Sequence, residues 1–190
     1  MKLKDIATIR AGRTIKGGVQ DSESGTLSVI QLSDISEAIS VNWPRVLKVV
    51  PDAKYAIHYL KPRDLLIVAR GPHKRVILLG DDTPQYAVPT QHFLFVSLKD
   101  IEQVLPEFIH YYLSSSPIQQ WMNNQCSGST QSTLTKELLE NLPFPDLTVE
   151  QQREILNCIN SVKKEISLHE QLISGRKAQL DDIATRLFKR

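Results

Sequence analysis

Apolar and polar positions follow a different rhythm in each part of this chain. Toward the C-terminus, apolar residues recur at Ile155, Ile159, Val162, Ile166, Ile173, Leu180, Ile183 and Leu187, and the same seam turns polar at His169 and Arg176. The steps alternate between four and three over roughly four to five heptads, which predicts a helix lying lengthwise against another helix. Thr148 precedes Gln151 by three residues, the spacing of a capping box at a helix start. From there to Arg190 the chain has no proline, and Gly175 is its one glycine. At about 1.5 Å per residue such a helix is about 60 Å long. A domain built from the remaining residues is too small to cover that seam, so the pattern predicts a partner helix and an assembly role. A helix folded back on its own domain is the other reading.

Upstream the rhythm shortens. Leu27–Leu32, Val46–Val50, Val76–Leu79, Tyr86–Val88 and Gln91–Val96 read as short strands, and Tyr55–Leu60 as a short strand or connector. The run Leu65–Ala69 is continuously apolar, which predicts a strand buried on both faces. Leu3–Arg10 reads as a helical turn or two stopped at Gly12, and Trp43-Pro44 as an extended or turn segment. After the strands, Pro106–Leu113 has helical spacing. A second helix starts at Ser116-Pro117 with proline in its first turn. A third, short helix covers Lys136–Glu140 behind Thr135. Leu142-Pro143-Phe144-Pro145 cannot continue a helix. The strands are joined by mostly short connections, so the sheet is antiparallel or mixed rather than built of βαβ units. The predicted class is α+β: a sheet domain with short helices over residues 1–147, then one long helix over residues 148–190 that forms an intermolecular coiled coil.

Composition adds limits. The 190 residues are 41% hydrophobic and 23% charged, ordinary values for a folded protein. No apolar run reaches the roughly 20 residues of a membrane span, and Met1-Lys2-Leu3-Lys4-Asp5 lacks a signal-peptide core, so a cytoplasmic protein without membrane contact is expected. Cys126 and Cys158 have no CxxC spacing and read as reduced thiols. The net charge of +2 conceals sorting. From Thr148 onward there are eight Lys/Arg and six Asp/Glu, and fifteen of each before it. Within that neutral body, Lys54, Lys61, Arg63, Arg70, Lys74 and Arg75 are opposed between residues 54 and 75 only by Asp64. Acids gather instead at Asp81, Asp82, Asp100, Glu102 and Glu107. Local basic stretches of this kind suit a polyanion on one face, and equally a soluble domain with no such partner.

Catalytic signatures are missing. The chain has no GxSxG, GxxxxGK[ST], GxGxxG or HExxH sequence, and Asp81-Asp82 sits in a turn rather than a ligand cluster. No catalytic residue and no metal site is expected. Loops rich in hydrogen-bond donors remain, each of which also reads as an ordinary solvated loop. Arg70-Gly71-Pro72-His73-Lys74-Arg75 could offer guanidinium groups to phosphate or to the guanine edge, and Gln91 an amide to an adenine edge. Ser127–Ser132 could meet phosphates through hydroxyls and backbone N–H groups.

Several stretches together resemble a known family: Leu3-Lys4-Asp5-Ile6-Ala7 with Gly12 and Thr14; Pro62-Arg63-Asp64-Leu65-Leu66-Ile67 with Arg70-Gly71; and Gly128-Ser129-Thr130-Gln131 ahead of Leu134. The strongest stretch runs from Leu138-Leu139 through Leu142-Pro143-Phe144-Pro145 to Glu150-Gln151-Gln152-Arg153-Glu154-Ile155. The whole chain resembles one half of the specificity subunit of a type I restriction–modification system. That resemblance implies a target recognition domain and a long helix, where the full subunit has two of each and reads a split DNA site. It also implies docking to methyltransferase subunits, which carry S-adenosylmethionine, and association with a restriction motor subunit. This chain would need no cofactor of its own. With one domain and one helix it is either a natural half subunit that pairs as a homodimer or a shortened piece of a longer chain.

The expectation is a non-catalytic reader of double-stranded DNA. Residue type and loop position select Arg13, Lys16, Arg70, His73, Lys74, Arg75, Gln91, Ser129, Thr130 and Gln131 as contacts. The eight seam residues named above carry dimerisation. The alternative is a protein-interaction module with a coiled-coil tail and no DNA binding, which would lack the steep salt dependence that phosphate contacts demand.

Overall fold

The computed structural model describes residues 1–15, 19–51, 59–71, 74–126 and 133–188. Among the described residues seven strands form two sheets: β1 (Ala7–Ala11), β2 (Leu27–Ile30), β3 (Leu47–Val49), β4 (Leu65–Val68), β5 (Val76–Leu78), β6 (Ala87–Pro89) and β7 (Phe93–Leu98). The larger sheet has the order β1-β7-β4-β5 with every pair antiparallel. The smaller has the order β3-β2-β6, in which β2 runs antiparallel to β3 and parallel to β6. Mixed pairing was expected; the division into two sheets was not.

The sequence pattern explains the layering. All four residues of β4 are buried, as a continuously apolar strand requires. One apolar cluster joins residues of both sheets: Leu66, Val68, Phe93, Phe95 and Ile77 from the larger, Ile30 and Ala87 from the smaller. Helices α2 (Pro106–Ser114) and α3 (Ser116–Cys126) pack on each other, and α2 also packs on β5. α4 (Lys136–Glu140) packs on β1. Thr135 caps α4 by accepting from Leu138 N at 3.2 Å, as a threonine ahead of a helix should.

The first ten residues depart from the expected helix. α1 covers only Leu3–Ile6, and Ala7–Ala11 is a strand paired with Leu94–Leu98 of β7. A helix this short gains little by growing by another turn, whereas Ala7–Ala11 as a strand gains a five-residue ladder with β7 and buries Ile9. Trp43–Arg45 takes the turn side of its extended-or-turn reading, a 3-10 turn with Pro44 in the first turn, where its missing N–H is harmless. Most of Tyr55–Leu60 lies outside the described residues.

The proline segment has a structural partner. Leu3 N donates to Leu142 O at 2.9 Å and Phe144 N to Met1 O at 2.9 Å, so Leu142–Phe144 lies extended along the start of the chain. The Tyr112 hydroxyl donates to Pro143 O, and Phe108, Tyr112 and Phe144 form a cluster of edge and stacked rings.

The chain divides into two compact units, Met1–Val149 and Glu150–Arg190, against a boundary expected after residue 147. α5 runs unbroken from Val149 to Phe188, 40 residues and about 60 Å. It begins directly after Thr148. Along it Val162, Ile166, Ile173, Leu180, Ile183 and Leu187 are 48–69% exposed, while Ile155 and Ile159 are half-buried. Among the described residues no helix is long and apolar enough to cross a membrane.

Candidate nucleic-acid interface

The strand directions bring particular loops together. β1 and β4 both run antiparallel to β7, so the end of β1, the end of β4, the start of β5 and the start of β7 share one end of the larger sheet. β2 and β6 run parallel and finish at the same end. Five pieces of chain that are distant in sequence therefore meet: Gly12–Ile15, Gln31–Ser33, Arg70–Gly71 with Lys74–Arg75, Thr90–His92, and Thr133–Leu134. The carboxylates Asp81, Asp82 and Asp100 follow the opposite ends of β5 and β7.

Backbone hydrogen bonds fasten these pieces to one another. Gly12 N donates to Phe93 O and Arg13 N to Pro89 O, both at 2.9 Å. Thr90 N donates to Ile30 O at 3.0 Å, Ala69 N to His92 O at 2.9 Å, and Leu134 N to Ala69 O at 2.7 Å. The turn Thr90-Gln91-His92 is thus the hub. Gly12 is required here, because a Cβ would stand 2.0 Å from Thr90 O. Gln31 N and Lys61 N are each capped by an aspartate, Asp34 at 2.7 Å and Asp64 at 2.9 Å. Burial raises the Asp64 carboxyl above its ordinary range, against the hydrogen bond from Lys61 N and the opposing pull of Ser97, Lys61 and Arg10.

A cleft of about 320 Å³ opens beside the hub, lined among others by Arg13, Gln31, Ser33, Thr90, Gln91 and His92, with no carboxylate among the described residues of its wall. Thr14 Oγ1 donates to Gln91 Oε1 at 2.6 Å, which holds the Gln91 amide in place. Thr90 Oγ1 and His92 Nδ1 are buried without a hydrogen-bond partner among the described residues. A polar group left so costs about 1–3 kcal/mol.

The sequence-selected contacts distribute unevenly over this end. Arg13 and Gln91 meet in the cleft wall. Arg70 is exposed and Arg75 half-buried at the two ends of the β4–β5 connection. Lys16, His73, Ser129, Thr130 and Gln131 lie outside the described residues. Lys74 requires a correction: it is fully buried, and its Nζ donates to Gly71 O at 2.6 Å. Its charge is spent on holding the loop rather than on a surface contact. Gln31, Ser33, Thr90 and Gln119 were not singled out from sequence, since polar residues of ordinary type carry no signal until strands bring them together.

Comparison with known proteins matches the described architecture. Residues 1–175 fit the profile of the type I restriction modification DNA specificity domain. The chain belongs to that family. The specificity subunit of the type I restriction enzyme EcoBI from Escherichia coli is 20% identical over 181 residues, which is 95% of this chain and 36% of that protein. Among solved structures, a chain described with the complex assembly and conformational transition of a type I restriction–modification system aligns with a TM-score of 0.71 at 17% identity. That alignment covers 96% of this chain and 42% of the other. The HsdS subunit from Thermoanaerobacter tengcongensis aligns at 0.63, again with 17% identity, over 87% of this chain and 37% of its own. These structures share the fold. The specificity-domain chain described here spans about two fifths or less of the length of each of these relatives.

Proposed function

We propose that this specificity domain reads one part of a DNA target and that its helix pairs with a second such helix. The observation that carries the first half is the placement, at one end of two sheets, of Arg70 and Arg75 on the β4–β5 connection together with a cleft whose wall holds Arg13 and Gln91 and no carboxylate among its described residues. Guanidinium groups pair with phosphate oxygens or the guanine edge, and a fixed amide reads a base edge. The domain contributes no catalysis; methylation, with its S-adenosylmethionine, belongs to a partner subunit, and cleavage to a motor subunit.

The seam supports the second half. Two parallel copies in register would stack Arg176 on Arg176, a like-charged core layer that burial makes costly, and place a second polar layer at His169. Antiparallel copies with a two-fold axis level with Gln171 avoid this. Ile155 then meets Leu187, Ile159 meets Ile183, Val162 meets Leu180, Ile166 meets Arg176, and His169 meets Ile173. Every layer holds at least one apolar residue, and the polar layers leave their long side chains room to reach water. A two-fold pair would read an inverted repeat with a spacer.

The test combines solution mass with DNA binding. The full chain should be a dimer, and the chain ended at Asp146 a monomer. Arg70→Ala and Arg75→Ala should each weaken duplex binding about tenfold, with the steep salt dependence of phosphate contacts. A chain that binds no duplex at low salt, or a pair of variants that bind as well as the parent, would remove this end of the sheets from the reading.

A further inference from the structure

The described ends of the β4–β5 connection, Arg70–Gly71 and Lys74–Arg75, are tied to each other and to α3 by side-chain hydrogen bonds. Gly71 lies at φ +95°, in the left-handed region that suits glycine. Its carbonyl receives the Lys74 ammonium at 2.6 Å, from a lysine with no exposed surface. Lys74 is gripped in turn by Gln119 of α3. Lys74 N donates to Gln119 Oε1 at 3.0 Å, and Gln119 Nε2 donates to Lys74 O at 3.0 Å and to Leu113 O at 2.8 Å. Arg75 O is taken by Val68 N at 2.9 Å. One glutamine amide therefore satisfies both backbone groups of Lys74 and ties them to the α2 carbonyl at Leu113.

A buried lysine is an expensive way to close a turn. Burial pushes the Lys74 ammonium below its ordinary range, with the nearby Cys126 opposing the shift, and an apolar residue of similar length would fill the space without that cost. What the ammonium adds is direction. It fixes the carbonyl of Gly71, the residue next to Arg70, while Gln119 fixes the peptide next to Arg75. Both arginines are thus anchored by their immediate neighbours, while their own guanidinium groups remain available to a ligand. Pre-organising a flexible cation lowers the entropy lost on binding, and misplacing it forfeits a geometry-dependent contact.

We infer that Gln119 and Lys74 are positioning residues for DNA binding, holding Arg70 and Arg75 in the conformation that meets the duplex. This rests on the proposed DNA reading and deepens it. Gln119 lies on α3, remote in sequence from the loop, and is proposed to act through Lys74 rather than by its own contact with the duplex.

The experiment is a double-mutant cycle in the full chain, read as duplex affinity at fixed low salt with a target enriched from random sequence. Gln119→Ala should lower affinity about fivefold to tenfold while leaving the dimer mass and the cooperative melt in place. Gln119→Glu, which keeps the acceptor but sets a carboxylate oxygen against the carbonyls of Lys74 and Leu113, should lose at least as much as Gln119→Ala. Adding Arg75→Ala to Gln119→Ala should cost little more than the larger single change, because a misplaced arginine has already lost its contact. Losses that multiply, or a Gln119→Ala chain with parental affinity beside a weakened Arg75→Ala chain, would overturn the positioning role alone. If Gln119→Ala fails to fold, Lys74→Met is run through the same cycle with the same criteria. Absence of any duplex binding by the parent would overturn the DNA reading first, and this inference with it.

Discussion

At the residue scale, side chains of similar type do opposite work according to where the fold puts them. Lys74 and Arg75 are neighbours in a basic run, yet one is buried and the other half-exposed. The folded pKa of Lys74 is lowered, so between that value and the ordinary lysine range the unfolded chain binds the extra proton. Folding stability therefore rises with pH across that window. The melting temperature of the parent relative to Lys74→Met should increase as pH is raised toward about 10, a trend visible in matched thermal scans. Thr90 makes a separate case. Its hydroxyl has no partner among the described residues, so Thr90→Val should leave stability unchanged or raise it by up to about 1 kcal/mol by denaturant titration. Gly12 allows less. Any Cβ overlaps Thr90 O, and Gly12→Ala should cost about 1–3 kcal/mol through displaced backbone, read as a lower denaturation midpoint.

At the scale of elements, α5 contrasts with the sheets. Its helix was legible because a period of about 3.5 residues, an absent proline and a threonine at its head all agree. Gly175 is the weak point: a Cβ there meets nothing within 4 Å. Gly175→Ala should stabilise the helix by about 1 kcal/mol, seen as a higher melting point of the helical signal. Short strands were less legible. Ala7–Ala11 reads from its local sequence as part of a helical turn, and its strand state is decided by β7, more than eighty residues away in the chain.

At the scale of the molecule, the proposed assembly and the proposed DNA reading should respond to salt with opposite signs. In the antiparallel register Lys163 lies across from Lys177 on the flank of the seam. Screening that repulsion should modestly favour the dimer, while the same salt weakens phosphate contacts. Sedimentation and duplex binding measured over one salt series should therefore diverge. If dimer and DNA affinity fall together, the antiparallel register is wrong.

By itself the sequence determined the α+β class, the long helix, the seam residues and the family resemblance, because each rests on local periodicity or on motifs contiguous in the chain. The candidate contacts were legible only as types. Arg13 and Gln91 could be chosen, but nothing local says that they share a cleft, that Lys74 turns inward, or that Gln119 holds the loop. Those facts follow from strand order: β1 beside β7 and β2 beside β6 gather five separate loops at one end. Pairing between distant strands is set by the total burial and hydrogen bonding of the two sheets, a quantity that no short stretch of sequence contains.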